Sequence, residues 1–278
     1  MADPVNPPPP EHASPSEQAP LVAAPTPRRA REDATQRRFH LAYFVLAVVV
    51  GVAVGALIVV LGRPSEGSAP DWSAWRPAAE GEAATGEIAR FVGSRYHLPS
   101  GNQIVSVIPK PPVISSGTNG DVPVSAIAIR NVFRGQQIKV YRTDKAIFYY
   151  LCGSGTRCAI GEGKPSVERG RLIRREALEL ALYTLRYVKG VDSVVAFVPP
   201  KKGQQAQSLL FFQRSDLGPV LERPLDQTLP ERRELRPATL GAADLAAVGA
   251  LADTRAFDFE YQQIQDGTLA LFLQPLTA

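Results

Sequence analysis

Residues 166–190, SVERGRLIRREALELALYTLRYVKG, decide how the second half of the chain folds. Ser166 stands where a helix N-cap is preferred, and Glu168 complements the positive end of a helix dipole. Lys189 and Gly190 supply a basic last turn and a left-handed stop. The pattern therefore predicts one long helix.

Most of the circumference of this helix is apolar, which predicts packing against a sheet over a broad face. Arg175, Glu179 and Arg186 fall on the narrow polar wedge that remains, and Arg175 and Glu179 stand four residues apart as a helix-surface pair. The apolar arc consists of Ile173, Ala177, Leu178, Ala181, Leu182, Leu185 and Val188.

Arg171 and Arg174 project beside the apolar arc rather than into the polar wedge. A guanidinium buried there needs a carboxylate or an anionic ligand. We take Arg171 and Arg174 as a candidate anion-binding pair for a lipid headgroup or a wall polymer. An internal salt bridge is the simpler alternative.

The segments around this helix read mainly as strands. Residues 256–266 alternate aromatic and polar side chains, and Gly267 turns them into residues 269–275, which predicts a hairpin. The segments 137–142 and 146–153 are expected to form the arms of a second hairpin. Helices are expected over 82–96 and 242–252, and residues 215–240 read as irregular. The other expected strands are 103–109, 122–130, 191–199 and 209–214.

This order of elements predicts an α+β fold, because strands and helices do not alternate regularly. We expect residues 81–278 to form a largely antiparallel sheet domain with two to three packed helices. A sub-boundary is expected near residues 215–240, where proline interrupts the pattern.

An uncharged apolar run precedes the domain at residues 41–62, LAYFVLAVVVGVAVGALIVVLG. At about 1.5 Å per residue it spans roughly 30 Å, the hydrocarbon thickness of a bilayer, and we expect a transmembrane helix. A cleaved signal peptide is the alternative, but this apolar run is longer than the apolar segment of most cleaved signal peptides. Gly51 and Gly55 form a GxxxG pattern that favours a homodimer through the span.

The basic residues near this run indicate its orientation. Five arginines precede the run and only Arg63 follows it directly, so the N-terminus is expected in the cytoplasm and the C-terminal domain outside the plasma membrane. Residues 1–40 are proline-rich and read as a disordered tail, either merely solvated or a ligand for a proline-recognising partner. The excess of arginine over lysine favours a bacterial source.

Residues 63–80 read as a linker between the span and the domain. Trp72 and Trp75 lie in it, where indole rings suit the membrane interface. Packing on the first helix of the domain is the alternative for both side chains.

Cys152 and Cys158 are separated by a glycine-rich turn, and outside the cytoplasm such a pair is expected to form a disulfide. Zinc is the rival ligand, but a structural zinc site needs four nitrogen or sulfur ligands. Only His97 remains to help in this part of the chain, so we expect no metal and no cofactor.

The catalytic motifs that depend on histidine, glycine-rich phosphate loops or a GxSxG serine are absent from the sequence. Asp258 and Glu260, on one face of a predicted strand, leave a carboxylate-based hydrolase of cell-wall polymers open. A formal net charge of +4, with 31 basic and 27 acidic residues, is too mixed for a nucleic-acid reader.

We therefore expect a membrane-anchored binding or scaffolding protein of the envelope, with no assigned catalytic residue. Its partners would be the bilayer, a second copy and an envelope protein. The hairpin of residues 256–275 is the candidate docking surface, as an apolar patch or an exposed strand edge.

Overall fold

The structure is a computed structural model that describes residues 43, 45–51, 71–116, 120–131, 137–265 and 267–276. Contacts divide the chain into two compact units, Met1–Gly67 and Ser68–Ala278. The second unit contains the sheet and the helices described below.

This unit is sheet-rich, with four α-helices among its described residues. The helices are α1 (Gly81–Gly93), α2 (Val167–Tyr187), α3 (Arg214–Leu221) and α4 (Ala242–Ala247), the last continuing as a π-helix over Val248–Ala252. The strands are β1 (Ser106–Lys110), β2 (Val113–Ser116), β3 (Gly120–Asn131), β4 (Gln137–Arg142), β5 (Ala146–Cys152), β6 (Ser193–Phe197), β7 (Ser208–Gln213), β8 (Ala256–Gln263) and β9 (Leu269–Pro275).

The strands form one mixed sheet in the order β1-β5-β6-β7-β8-β9-β3-β2, with β4 also paired to β3. The pairs β5–β6 and β3–β9 are parallel, and the other described pairs are antiparallel. The prediction of an α+β fold with a largely antiparallel sheet agrees with this arrangement.

Helix α2 begins and ends where the sequence predicts. The Ser166 hydroxyl accepts a hydrogen bond from the Arg169 backbone N–H at 3.2 Å. Gly190 adopts a left-handed φ of 78°, which a residue with a side chain rarely tolerates. These two signals are local in sequence, which is why they could be recognised without knowledge of the tertiary fold.

The polar wedge expected on α2 is only partly exposed. Arg186 reaches solvent, but Arg175 and Glu179 are buried. The prediction of a surface pair is therefore wrong for these two residues. Hydrophobic periodicity reports which face of a helix is polar, and it does not report what packs on that face.

Two hydrophobic cores lie on opposite faces of the sheet. The larger core contains α1, α2 and the sheet face that they cover. The smaller core lies on the other face and is mainly aliphatic and aromatic. Strand β5 serves both, because alternate side chains of a strand point to opposite faces: Tyr149 enters the larger core and Phe148 the smaller.

Three connections differ from the sequence prediction. Strands β4 and β5 do not pair with each other, since β4 pairs with β3, whereas β5 lies between β1 and β6. Residues 215–240 are not wholly irregular, because α3 extends to Leu221. The sequence also suggests that residues 158–161 continue the antiparallel run, but Cys158 ends a short 3-10 turn over Thr156–Cys158, and residues 159–161 lie outside the strands.

The hairpin of β8 and β9 is present, and neighbouring strands cover part of its edges. Strand β8 pairs with β7 and β9, and β9 pairs with β8 and β3. Strand β7 pairs with only Ala256–Asp258 of β8, so among the described residues the rest of β8 has strand pairing on one side alone, and the use of this hairpin as a docking surface stays a prediction. Its neighbours in the sheet are distant in sequence, and hairpin signals carry no information about them.

The apolar run at residues 41–62 lies largely outside the described residues. Tyr43 and residues 45–51 are helical and exposed. Within the part of the chain that the structure describes, none of the helices has the length and apolar character needed to cross a bilayer. Gly51 belongs to the described helical stretch, and Gly55 lies outside it.

Candidate functional site

An open cleft of about 790 Å³ lies on the face of the sheet opposite the helices. Aromatic side chains from three strands line it, together with the β1–β2 connection and the loop that precedes β7. Its lining includes Lys110, Asp121, Tyr150, Phe197, Gln205, Phe259, Glu260 and Tyr261. We call this set the aromatic cleft.

The rings of the aromatic cleft contact one another in a continuous row across the sheet. Phe197 stacks on Tyr150, with ring centroids 4.5 Å apart and planes inclined by 13°. Phe259 meets Phe197 edge-on at 5.2 Å and Tyr261 edge-on at 5.4 Å. Such packing keeps the rings in fixed orientations, so the cleft is preformed.

The two tyrosines of the cleft, Tyr150 and Tyr261, are both half-buried. Burial raises the pKa of Tyr150 and of Tyr261 above the ordinary value, so both phenols are neutral at physiological pH. The cleft therefore combines aromatic rings and neutral phenol groups with the polar side chains of Lys110, Asp121 and Glu260, as in many ligand-binding pockets.

Lys110 lies on the opposite side of Tyr150 from Phe197. Strand β5 carries Tyr150 between β1, which carries Lys110, and β6, which carries Phe197. The Lys110 ammonium is 5.4 Å from the centroid of the Tyr150 ring. This distance is within the range of a cation–π contact.

A second polar cluster is buried beneath the helices. The Arg175 guanidinium donates to Asp244 Oδ1 at 2.7 Å, to Glu179 Oε2 at 3.0 Å and to the Pro230 carbonyl at 2.8 Å. Arg95 also donates to Glu179. We call Arg95, Tyr96, Arg175, Glu179 and Asp244 the buried ionic network.

Tyr96 links the charges of this network. Arg175 donates to the Tyr96 hydroxyl, which in turn donates to Glu179. Burial, followed by the charge of Glu179, raises the pKa of Tyr96 well above its usual value. The network thus satisfies its own charges, and Arg175 has no exposed surface. These groups tie α1, α2 and α4 together rather than presenting chemistry to a ligand.

Glu176 is buried beside the network without sharing its hydrogen bonds. Neither carboxyl oxygen has a hydrogen-bond partner among the described residues. Burial, with the nearby charge of Glu179, raises the pKa of Glu176 well above its usual value. The carboxyl group is therefore held in its neutral form, and it does not line the aromatic cleft.

The candidate anion-binding pair does not form a buried site. Arg171 is exposed, and Arg174 is partly exposed and lies 3.4 Å from Asp253 Oδ1. For Arg174 the structure thus favours the internal salt bridge. The buried arginines of this helix are Arg169 and Arg175, and the sequence pattern had placed Arg175 on the polar wedge.

Cys152 and Cys158 lie at disulfide distance, with their sulfur atoms 2.04 Å apart. The loop between them is tight, because a Cβ at Gly153 would come within 2.3 Å of the Ala159 carbonyl oxygen. Arg157 and Cys158 adopt φ values of 55° and 59°, in the left-handed region. Cys152 is the last residue of β5, and Cys158 is the last residue of the 3-10 turn that follows it.

The two tryptophans of the linker pack on the domain. Trp75 stacks on Phe91 of α1 with centroids 3.9 Å apart, and Trp72 is buried against Tyr183 and Tyr187 of α2. Of the two interpretations made from the sequence, the structure favours packing on the helices.

The remaining titratable candidates do not assemble a catalytic group. His97 lies 3.8 Å from Glu234 at the edge of the helical layer. No cluster of three or more metal-ligating side chains occurs among the described residues. Asp258 and Glu260 are exposed and alternate with Phe257, Phe259 and Tyr261 along β8, and Glu260 also lines the aromatic cleft, whereas Asp258 does not.

The sequence analysis missed the aromatic cleft. Alternating aromatic residues on β8 were recognised as a strand signal, and a second aromatic run on β5 accompanies them. The two strands are separated in the sheet by β6 and β7, so their convergence depends on the pairing order. Comparison with known proteins adds no relative: no family model, curated protein or solved structure matches this chain.

Proposed function

We propose that this chain is a single-pass, membrane-anchored binding or scaffolding protein of the bacterial envelope, with the aromatic cleft as its contact site. The observation that carries the proposal is the open cleft of about 790 Å³, lined by rings that hold one another in place. Preformed aromatic clefts with few polar groups are typical of binding sites.

The distribution of ionisable groups supports binding rather than catalysis. The carboxyl group with a strongly raised pKa, Glu176, is enclosed beneath the helices. The network around Arg175 is also sealed there. Asp258 does not line the aromatic cleft, so Asp258 and Glu260 do not face a ligand there as a pair of carboxylates.

The membrane anchor in this proposal rests on residues 41–62 and the arginines before them. A C-terminal alkaline-phosphatase fusion should be active, whereas a C-terminal fluorescent-protein fusion exported in unfolded form should be dark. The reverse pattern would contradict the orientation. Cross-linking through a cysteine placed at Gly51 or Gly55 would test the homodimer in the same strain.

Photo-cross-linking in living cells tests the contact site. A photoreactive residue would replace Gln205, which lines the aromatic cleft, or Gln227, an exposed glutamine in a short 3-10 turn that does not line it. We expect one envelope component to be captured reproducibly by the photoreactive residue at position 205 and not by the one at position 227. Mass spectrometry would identify the captured component. Equal capture at both positions would reject the cleft as the contact site.

The alternative is a carboxylate-based hydrolase of wall polymers, using Asp258 and Glu260. Their exposure on one face of β8 keeps both carboxylates within reach of a polymer. Degradation of a wall polymer by the purified full-length protein, abolished by Asp258→Asn or Glu260→Gln, would establish this alternative and displace the binding proposal.

A further inference from the structure

We propose that the aromatic cleft binds an organic cation, a quaternary ammonium or a guanidinium group, on the face of Tyr150 that Lys110 now covers. This inference rests on the proposed binding function and names the chemical class of ligand.

The argument begins with the two faces of the Tyr150 ring. Phe197 stacks on one face at a centroid distance of 4.5 Å. The strand order places Lys110 on the other side, with its ammonium 5.4 Å from the ring centroid. The face of the Tyr150 ring that Phe197 leaves free is therefore the face on which the chain already places a cation, the Lys110 ammonium.

The electrostatics of the ring decide what can replace Lys110. The face of an aromatic ring is negative and attracts cations. A primary ammonium is compact and strongly hydrated, whereas a guanidinium is more weakly hydrated and stacks on rings. An organic cation whose charge is spread over several atoms is weakly hydrated, so it loses less hydration free energy on leaving water. Such a cation should therefore displace the exposed Lys110 ammonium from the ring.

The surroundings of Tyr150 are compatible with such a ligand. Phe259 and Tyr261 add two further rings to the same cleft, and Asp121, which lines it, contributes a carboxylate. Several rings around one cation are the arrangement by which proteins recognise quaternary ammonium groups. The volume of about 790 Å³ accommodates a small organic cation.

The experiment uses the full-length protein in detergent and isothermal titration calorimetry at constant ionic strength. The probes are choline and its uncharged isostere 3,3-dimethylbutan-1-ol, with N-acetylarginine amide as the guanidinium probe. We expect choline or N-acetylarginine amide to bind at least about tenfold more tightly than the isostere, as a partly desolvated cation–π contact implies.

Variants then locate the site. Lys110→Met uncovers the ring and should tighten binding of the cation several-fold, whereas Tyr150→Leu should abolish it. Tyr150→Phe keeps the ring and should retain binding. Lys139→Met is the matched control, because Lys139 lies 4.9 Å from the ring of Tyr141, which does not line the cleft. This control should leave the affinity unchanged.

The outcomes separate this inference from the proposed function. If choline and its neutral isostere bind equally, or if Lys110→Met binds neither cation, the inference is overturned. Capture through Gln205 in cells would still support the binding function in that case. If capture through Gln205 also fails, the proposed function falls with it.

Discussion

The buried ionic network and the aromatic cleft lie on opposite faces of one sheet and handle polar groups in opposite ways. The network encloses full charges and pairs them with one another until Arg175 has no exposed surface. The cleft keeps its ring faces near solvent, with Lys110 over the Tyr150 ring and the carboxylates of Asp121 and Glu260 in its lining. Charge enclosed in this way stabilises the fold, whereas partly exposed rings are available to a partner.

Strand β5 shows how one segment serves both regions. Tyr149 points into the helical core, where its hydroxyl and that of Thr184 of α2 are 2.8 Å apart. Tyr150, the next residue, points into the cleft. The two tyrosines are equivalent in composition and differ only in the face of the sheet to which they point.

The largest expected effect comes from breaking the network. Arg175→Met removes the donor to Asp244 and Glu179 and leaves two buried carboxylates without it, so the free energy of unfolding should fall by about 3–5 kcal/mol. Urea denaturation followed by circular dichroism measures this. Arg174→Met, which removes a partly exposed pair with Asp253, is the control and should cost less than about 1 kcal/mol. Similar losses in both variants would refute the distinction.

The second effect concerns Glu176 and depends on pH. The folded state keeps a proton on Glu176 that the unfolded chain loses above its ordinary pKa of 4.5. The contribution of this group to stability is therefore greatest below pH 4.5 and falls by about 1.4 kcal/mol per pH unit until the raised pKa is reached. Glu176→Gln cannot lose the proton, so its stability relative to wild type should rise with pH.

Unfolding free energies of wild type and Glu176→Gln at pH 5, 6 and 7 measure this difference. Glu260→Gln, an exposed glutamate outside the network, is the control and should show a nearly constant difference. A flat difference for Glu176→Gln would show that its carboxyl group is ionised or solvated in the folded protein.

The third prediction concerns the disulfide between Cys152 and Cys158, because Cys152 ends β5, the strand that contributes to both regions. Mass spectrometry of the unreduced protein should find the peptides of Cys152 and Cys158 linked to each other. Because the two residues are only six apart, the Cys152→Ser, Cys158→Ser variant should lose about 2 kcal/mol by the chain-entropy argument. Free thiols on both residues in the native protein would contradict the pairing.

The smallest effect is expected at the exposed carboxylates of β8. Asp258→Asn and Glu260→Gln should each change the unfolding free energy by less than about 0.5 kcal/mol, because both side chains are exposed. Binding at the aromatic cleft should persist in Asp258→Asn, because Asp258 does not line the cleft. A large loss of binding in this variant would show that Asp258 faces the ligand after all.

The sequence by itself determined the local elements of this protein. Capping residues and apolar spacing located α2, and period-two alternation located β8 and β9 with their turn. The paired cysteines were also recognisable from their spacing and the glycines between them. Each of these signals acts between residues close in sequence, so no knowledge of the tertiary fold was needed.

Only the tertiary structure decided which elements meet. Arg175 and Glu179 looked like a surface pair until Tyr96 and Asp244, from distant segments, covered that face of α2. The aromatic cleft likewise exists because β6 and β7 hold β5 and β8 at a fixed separation. Periodicity shows which face of an element is polar or apolar, but burial depends on the packing partner, and that partner lies far away in the sequence.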